Sequence, residues 1–208
     1  MAYIKEACVE TLEQCIRAEK NGADRIELCS DLANDGLTPS LELIKEVKKK
    51  INIPIRAMIR PRPGDFVYSS EELGVMRSSI NDCVSLGVDG VVFGVCTIDD
   101  ELDLRALAAL SQASKPLKIT IHKAIDVCKD PVAELARLND LGVDAVLSSG
   151  KSITAKEGTS ILRKMVEAAG HIEIIACGKV TNENLPEIDR LIGAPAYHGK
   201  NIVGDLEE

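Results

Sequence analysis

Two cysteines of this chain lie where they could bind a soft metal ion. Cys8 and Cys29 each fall at the end of a short predicted strand. Neighbouring strands are ~4.8 Å apart, so two thiolates on adjacent strands could together hold Cu(I), for which thiolate is a preferred ligand. The same spacing also fits two reduced cysteines that pack side by side, and both interpretations stay open.

A second set of residues points to acid–base chemistry on an anion. His122 is closely followed by Asp126, which would orient its imidazole, and Glu27 would share in proton transfer. Arg60 and Arg62 belong to a rigid, basic, glycine-containing segment at residues 59–69 (IRPRPGDFVYS), which suits an anion. The other candidate ligand-binding residues are Ser149, His198 and Glu6.

A glycine-anchored repeat identifies the elements that must position these residues. Residues 21–29 (NGADRIELC) are echoed by residues 86–94 (LGVDGVVFG) and 141–149 (LGVDAVLSS), with a degenerate copy at residues 192–198 (IGAPAYH). Each copy predicts a helix end at the glycine, a tight turn and a short strand. Further strands are predicted at residues 4–9, 53–59, 117–121 and 172–176. Apolar residues at helical spacing fill the gaps, at residues 11–20, 40–50, 69–86, 103–113, 131–141, 155–169 and 182–191.

Strands that alternate with helices predict a parallel sheet of βα units. Eight such strands favour closure into a single (β/α)8 TIM-type barrel that takes up residues 1–208 as one domain. Such barrels typically need ~250 residues and can be as small as ~200, so we expect the last helix to be truncated or missing. An open doubly wound sheet is the alternative, but no G-x-G-x-x-G follows the first strand.

Alternation along the strands predicts which side chains enter the barrel. Ile26 and Leu28 should face the helices, which leaves Glu27 and Cys29 inward. Barrel interiors are usually filled by Val, Ile and Leu, whereas here the predicted interior is charged. The polar residues nearest the carboxyl ends of the strands belong at the face that holds barrel active sites: Cys8, Cys29, Arg60, His122, Ser149 and His198. The deeper residues could instead form a buried network that only fills the barrel: Glu6, Glu27 and Arg56.

The loops after the later strands carry a weaker signal. In barrels of this type, the loops after the seventh and eighth strands often bind phosphate through backbone N–H groups. The predicted seventh strand is followed by Cys177, Gly178 and Lys179, and a single glycine makes this only a weak indication of phosphate binding.

Composition excludes several classes of partner. The 208 residues carry a net charge of -8, which argues against nucleic acid and anionic membranes. No apolar run approaches the ~18 residues of a membrane span, and the first residues do not resemble a signal peptide, so we expect a cytoplasmic protein. The 7 cysteines contain no C-x-x-C pair, which disfavours a disulfide framework or a zinc ribbon. A missing outer helix would expose apolar surface, and we therefore expect a homo-oligomer.

Motifs along almost the whole chain resemble the CutC copper-homeostasis family. The run at residues 59–69 is the most specific of them. The others follow in the expected order, at residues 6–8 (EAC), 21–29, 36–40 (GLTPS), 87–94, 122–126 (HKAID), 147–150 (LSSG) and 183–185 (ENL). The resemblance extends from about Ile4 to Val203 and implies a cytoplasmic (β/α) barrel.

The resemblance also implies functions. It implies a role in copper tolerance and Cu(I) binding, with Cys8 and Cys29 at the family positions proposed as ligands. It implies a pocket formed by Glu27, Arg60, His122, Asp126, Ser149 and His198. Two hypotheses therefore follow. The first is a Cu(I)-binding homeostasis protein. The second is a barrel enzyme of unassigned reaction that acts on a small anionic metabolite at the carboxyl ends of the strands.

Overall fold

The strands of the protein form one closed parallel barrel. A computed structural model describes residues 3–207, and in it the eight strands pair in sequence order, with β8 returning to β1. The strands are β1 (Ile4–Val9), β2 (Arg25–Leu28), β3 (Ile55–Met58), β4 (Gly90–Phe93), β5 (Lys118–Ile121), β6 (Ala145–Ser148), β7 (Glu173–Ala176) and β8 (Ala196–Gly199). The predicted TIM-type barrel is confirmed.

Seven α-helices separate the strands of the described chain. They are α1 (Leu12–Lys20), α2 (Leu41–Lys50), α3 (Ser70–Leu86), α4 (Leu104–Ser114), α5 (Pro131–Asp140), α6 (Thr159–Ala168) and α7 (Leu185–Ile192). Polar side chains cap several of their first turns, as at Ser69, whose hydroxyl accepts from the Glu72 N–H while the Glu72 carboxylate accepts from the Ser69 N–H. Gly87 ends α3 in the left-handed conformation, at φ 66°, where a side chain would be strained.

The apolar residues divide into an outer layer and two clusters that include inward-facing strand residues. Ile26 and Leu28 belong to the large cluster between the strands and the helices, as the alternation predicts. A smaller cluster joins Cys8 and Cys29 to Met58 and Val92, and another consists of Ala145, Leu147, Ile175, Cys177 and Ala196. The charged and polar inward residues lie mainly on β1 to β3 and β5, whereas the inward faces of β6 and β7 are largely apolar.

An extended tail takes the place of an eighth helix within the described residues. No α-helix follows β8 up to Glu207, in agreement with the prediction. The side chains of Ile202, Val203 and Leu206 are buried, and the Leu206 carbonyl accepts a hydrogen bond of 2.9 Å from Arg17 of α1. The tail therefore covers apolar surface that we expected to be exposed. Exposed apolar surface therefore no longer supports a homo-oligomer, and the homo-oligomer stays a prediction.

None of the helices within residues 3–207 is both long enough and apolar enough to cross a lipid bilayer.

Candidate functional site

A network of charged side chains fills the lower part of the barrel. Glu6 on β1 forms a hydrogen-bonded ion pair with Arg25 on β2. The Nη2 atom of Arg25 also lies 2.7 Å from Oε1 of Glu173 on β7. Arg56 on β3 donates to the Thr120 hydroxyl at 2.6 Å. Burial alone would raise the pKa of Glu6, but the charge of Arg25 and the hydrogen bond to His198 hold it well below its usual range. These ion pairs and hydrogen bonds link strands across the interior of the barrel. They agree with the interpretation of Glu6 and Arg56 as parts of a buried network that fills the barrel.

His198 connects this network to the upper part of the barrel. Its Nδ1 lies 2.9 Å from Oε1 of Glu6, and its Nε2 lies 3.8 Å from Oε2 of Glu27. Burial opposes its charge, yet Glu27, Cys8 and Glu6 together raise the pKa of His198 well above its ordinary value. The side chain is therefore an imidazolium that faces two carboxyl groups and a thiol.

The two candidate thiols converge on Glu27. Cys8 is the register partner of Glu27 across β1 and β2, and Cys29 directly follows the end of β2. The Sγ atoms of Cys8 and Cys29 lie 3.6 Å and 3.5 Å from Oε2 of Glu27. One ligand atom from each of the three residues falls within 4.8 Å of the others, which is compact enough for a metal ion.

Electrostatics makes the two thiols unequal. The hydrogen bond from Cys29, assisted by His198, lowers the pKa of Cys8 well below that of a free thiol, despite burial. The same hydrogen bond and burial raise the pKa of Cys29. Burial raises the pKa of Glu27 to about 8, partly offset by the charge of His198. Of the two thiols, Cys8 is therefore the one that favours the thiolate, the form that binds metals.

A cavity of about 930 Å³ opens above this cluster at the carboxyl ends of the strands. Its size falls within the range of small-molecule sites, roughly 300–1,000 Å³. Most predicted site residues line it: Cys8, Glu27, Arg60, His122, Asp126, Ser149 and His198. Three others do not belong to the lining: Glu6, Cys29 and Arg62. Cys29 lies behind Cys8 and Glu27, and Glu6 lies in the charged network.

Arg60 and Arg62 do not share the expected role of holding an anion. Arg60 is buried and donates to the carbonyl oxygens of Asn34, Asp35, Gly36 and Gly64. Its Nε remains without a partner in the described chain. Arg62 instead lies outside the cavity, where it pairs with Glu72 and Asp65 and stacks over Tyr68 at 5.1 Å. The prediction that Arg60 and Arg62 hold an anion together is wrong, because Arg60 binds carbonyl groups of the loops after β2 and β3 whereas Arg62 binds residues near the start of α3 outside the cavity.

His122 is positioned by backbone rather than by Asp126. Its Nδ1 accepts a hydrogen bond of 3.1 Å from the Ala124 N–H, and its ring packs on Phe66 at a centroid distance of 4.7 Å. Burial and the positive charge of Arg60 lower the pKa of His122 to about 3, so the imidazole is neutral at neutral pH. With Nδ1 accepting, the proton is assigned to Nε2, which is buried without a partner among residues 3–207, while the His122 residue lines the cavity.

Asp126 holds the loop after β6. One carboxylate oxygen accepts from the Ser148 hydroxyl at 2.6 Å and from the Lys151 N–H at 3.1 Å, and the other accepts from the N–H and hydroxyl of Ser149. The expected orientation of His122 by Asp126 is therefore wrong. The carboxylate fixes Ser149 and the backbone next to it at the edge of the cavity.

Four lysines complete the rim, and of these only Lys179 was considered from the sequence, as a weak indication of phosphate binding. Each lies in a different one of the loops that follow β5 to β8: Lys123, Lys151, Lys179 and Lys200. The signal that could have found the others is a lysine shortly after each of these strands. Phe66, which lies close to both Arg60 and His122, was also missed as a wall of the cavity.

The sequence of this chain is similar to those of a known protein family. The family model described as the CutC family matches residues 3–203. The chain belongs to the CutC family. A copper homeostasis protein cutC homolog of Homo sapiens is 41% identical over 197 residues, which cover 94% of this chain and 72% of the human protein.

Two further CutC proteins support the assignment. The family protein CutC of Vibrio atlanticus (strain LGP32) is 41% identical over 208 residues, covering 98% of this chain and 84% of its own length. The crystal structure of CutC from Streptococcus agalactiae superimposes with a TM-score of 0.92 at 34% identity, and the match covers 97% of this chain and 100% of that one. Fold and sequence therefore agree on the CutC family.

Proposed function

We propose that this CutC protein binds Cu(I) through Cys8 and Cys29 and contributes to copper homeostasis in the cytoplasm. The observation that carries the proposal is the convergence of the two thiols on Oε2 of Glu27. The human relative is named a copper homeostasis protein, which supports a role in copper homeostasis for this chain.

The distances favour one ion between the two sulfurs. Metal–thiolate bonds are ~2.3 Å long in zinc sites, so two sulfurs up to about 4.6 Å apart can share one ion. The ligand atoms of Cys8, Glu27 and Cys29 lie within 4.8 Å of one another, which needs only a small adjustment. Thiolates are soft ligands and select Cu(I) over harder cations.

The charge balance also favours a monovalent ion. Two thiolates and one Cu(I) carry a net charge of minus one, and His198 places an imidazolium next to Cys8. A buried charge needs such a partner, because desolvation costs several kcal/mol per ion. Glu27 adds a carboxyl group beside the sulfurs that can remain protonated when the ion is bound.

The approach to the thiols is through the cavity. Cys8 lines it and is 8% exposed, whereas Cys29 is fully buried. An ion entering from the open end of the barrel would therefore meet Cys8 first. The thiolate character of Cys8 suits this order, because the thiolate is the form that binds metals.

The cytoplasmic location is part of the proposal. All the cysteines of the described chain are free thiols, including the neighbouring Cys8 and Cys29. Reduced thiols persist in compartments that glutathione and thioredoxin keep reducing.

The experiment is a Cu(I) competition titration under anaerobic, reducing conditions. We expect Cys8→Ser and Cys29→Ser each to lose more affinity than the ~10–100-fold typical of removing a residue that only supports a ligand. Cys83→Ser is the matched control, because it removes a buried thiol from α3, outside the interior of the barrel. Parent-like Cu(I) affinity in the Cys8→Ser/Cys29→Ser protein would show that the ion binds elsewhere.

A further inference from the structure

Three residues that line the cavity each carry one buried polar atom without a hydrogen-bond partner among residues 3–207. The atoms are Oε1 of Glu27, Nε of Arg60 and Nε2 of His122. All three residues are less than 5% exposed. Leaving a buried polar atom unpaired costs ~1–3 kcal/mol, so a small shift of these side chains toward a bound ligand would be favourable.

The deep end of the cavity presents hydrogen-bond donors. The neutral imidazole of His122 accepts at Nδ1 from the Ala124 N–H, so its Nε2–H is a donor. The Arg60 guanidinium also lines the cavity and lies 5.2 Å from the centroid of the Phe66 ring. A ligand that satisfies these groups carries acceptor oxygens, as a carbonyl or carboxylate does.

The open end of the cavity is positively charged although the chain as a whole is acidic. Lys123, Lys151, Lys179 and Lys200 line the mouth. The lysine ion pairs of the described chain are those of Lys118 and Lys156, neither of which lines the cavity. A local positive field on a chain of net charge -8 favours an anionic group at this end.

The carboxylates on the lining offset only part of this field. Asp35 and Asp126 together carry two formal negative charges against the four lysines. Glu27 lies lower in the barrel, beside Cys8. The rim therefore keeps an excess of positive charge.

The backbone at the mouth is strained at two equivalent places. Gly150 and Lys151 both have positive φ, 66° and 59°, and Gly178 and Lys179 have φ values of 104° and 54°. A lysine in the left-handed region costs of order 1–3 kcal/mol, and such strain is concentrated at ligand sites. A Cβ at Gly178 would lie 2.9 Å from the Ala155 nitrogen, so this turn requires glycine.

We propose that the cavity binds a small phosphorylated metabolite that carries a carbonyl or carboxylate group. Its phosphate would lie at the loops after β7 and β8, with Lys179 and Lys200, the position at which barrels of this type often hold phosphate. Its acceptor oxygen would lie at the deep end against the Nε2–H of His122. This site is distinct from the thiol pair and does not depend on the binding of copper.

The test is calorimetric titration of the copper-free protein with three probes: 2-phosphoglycolate, glycolate and inorganic phosphate. We expect 2-phosphoglycolate to bind at least about ten-fold more tightly than either half, because it engages both ends of the cavity at once. Lys179→Ala/Lys200→Ala should weaken 2-phosphoglycolate by at least about ten-fold and leave glycolate little changed. His122→Phe should weaken both carboxylate probes and spare inorganic phosphate.

A control variant distinguishes binding in the cavity from a general attraction of the anionic probe to positive charge on the protein surface. Lys48→Ala/Lys49→Ala makes the same change in net charge on exposed residues in the last turn of α2. We expect it to bind 2-phosphoglycolate as the parent does. The proposal is overturned if 2-phosphoglycolate fails to bind at about 1 mM, or if the two double-lysine variants lose affinity equally. Circular dichroism of each variant checks that it is folded.

Discussion

His198 on the last strand holds Glu6 on the first, with Nδ1 of the imidazole 2.9 Å from Oε1 of the carboxylate. The two residues are register partners in the β1–β8 pair that closes the barrel. Both are largely buried, and Arg25 pairs with the other carboxylate oxygen. The closing pair of strands therefore depends on one carboxylate that is shared between two cations.

Glu6→Gln should strongly destabilise the barrel. The substitution keeps the shape of the side chain but leaves the charges of Arg25 and His198 without their carboxylate. Breaking one partner of a buried ion pair typically costs ~3–5 kcal/mol. Urea unfolding measures the loss, and Glu46→Gln on the exposed side of α2 is the control. A Glu6→Gln protein as stable as Glu46→Gln would contradict this account of barrel closure.

The stability contributed by His198 should decline at alkaline pH. Its folded pKa is raised above the ordinary value of ~6.5 by Glu27, Cys8 and Glu6, although burial opposes this. A raised pKa means that the contribution is complete below ~6.5 and is lost as the pH rises through the folded value. Urea unfolding of the parent and of His198→Gln from mildly acidic to alkaline pH measures this. The difference in unfolding free energy should be largest at the acidic end, and a constant difference would argue against an imidazolium.

The neighbouring arginines should respond very differently to substitution. Arg60→Met would leave the carbonyl of the buried Gly36 without this donor, whereas those of the exposed Asn34 and Gly64 can bind water, so we expect a loss of ~1–3 kcal/mol. Arg62→Met removes solvent-exposed ion pairs with Asp65 and Glu72, and such pairs contribute little. Urea unfolding of the two variants gives the comparison. An equal loss in both would show that Arg60 does not support its loop as described.

Asp126→Asn should loosen a loop without changing His122. An amide can accept on one oxygen only, so it would place an NH2 group against donors of Ser148 and Lys151 or of Ser149. We expect faster amide hydrogen exchange at residues 149–151, measured by mass spectrometry.

The control for this variant is the titration of His122 itself. Its pKa should stay near about 3, because burial and Arg60 set it, and nitrogen-15 NMR of the imidazole reports this. If the pKa moved substantially in Asp126→Asn, the carboxylate would be acting on the imidazole after all.

Much of the fold could be predicted because its signals are local. The glycines at 22, 87, 142 and 193 all have positive φ in the structure, as expected of glycines that end helices and turn into strands. The alternation of apolar and polar residues in β2 likewise placed Ile26 outward and Glu27 inward. Each of these features depends on residues only a few positions apart, so one stretch of sequence contains it completely.

The sequence predicted which residues belong to the candidate site better than it predicted which of them contact one another. Cys8 and Cys29 were paired correctly in space because parallel strands that are adjacent in sequence are adjacent in the barrel. Asp126 was assigned to His122 because it is near in sequence, but its carboxylate meets the loop after β6. Arg62 was assigned to the anion because it is near Arg60, but the chain turns between them.

The sequence by itself determined the barrel and the proximity of the two thiols, because periodicity and strand order are properties of the chain alone. Only the tertiary structure decided which cations remain available to a ligand. Arg60 donates to backbone carbonyls of two different loops, whereas the lysines of four separate loops line one cavity, and Lys151 and Lys200 each donate to a single backbone carbonyl. Hydrogen-bond competition is settled by three-dimensional proximity, and no spacing along the chain specifies it.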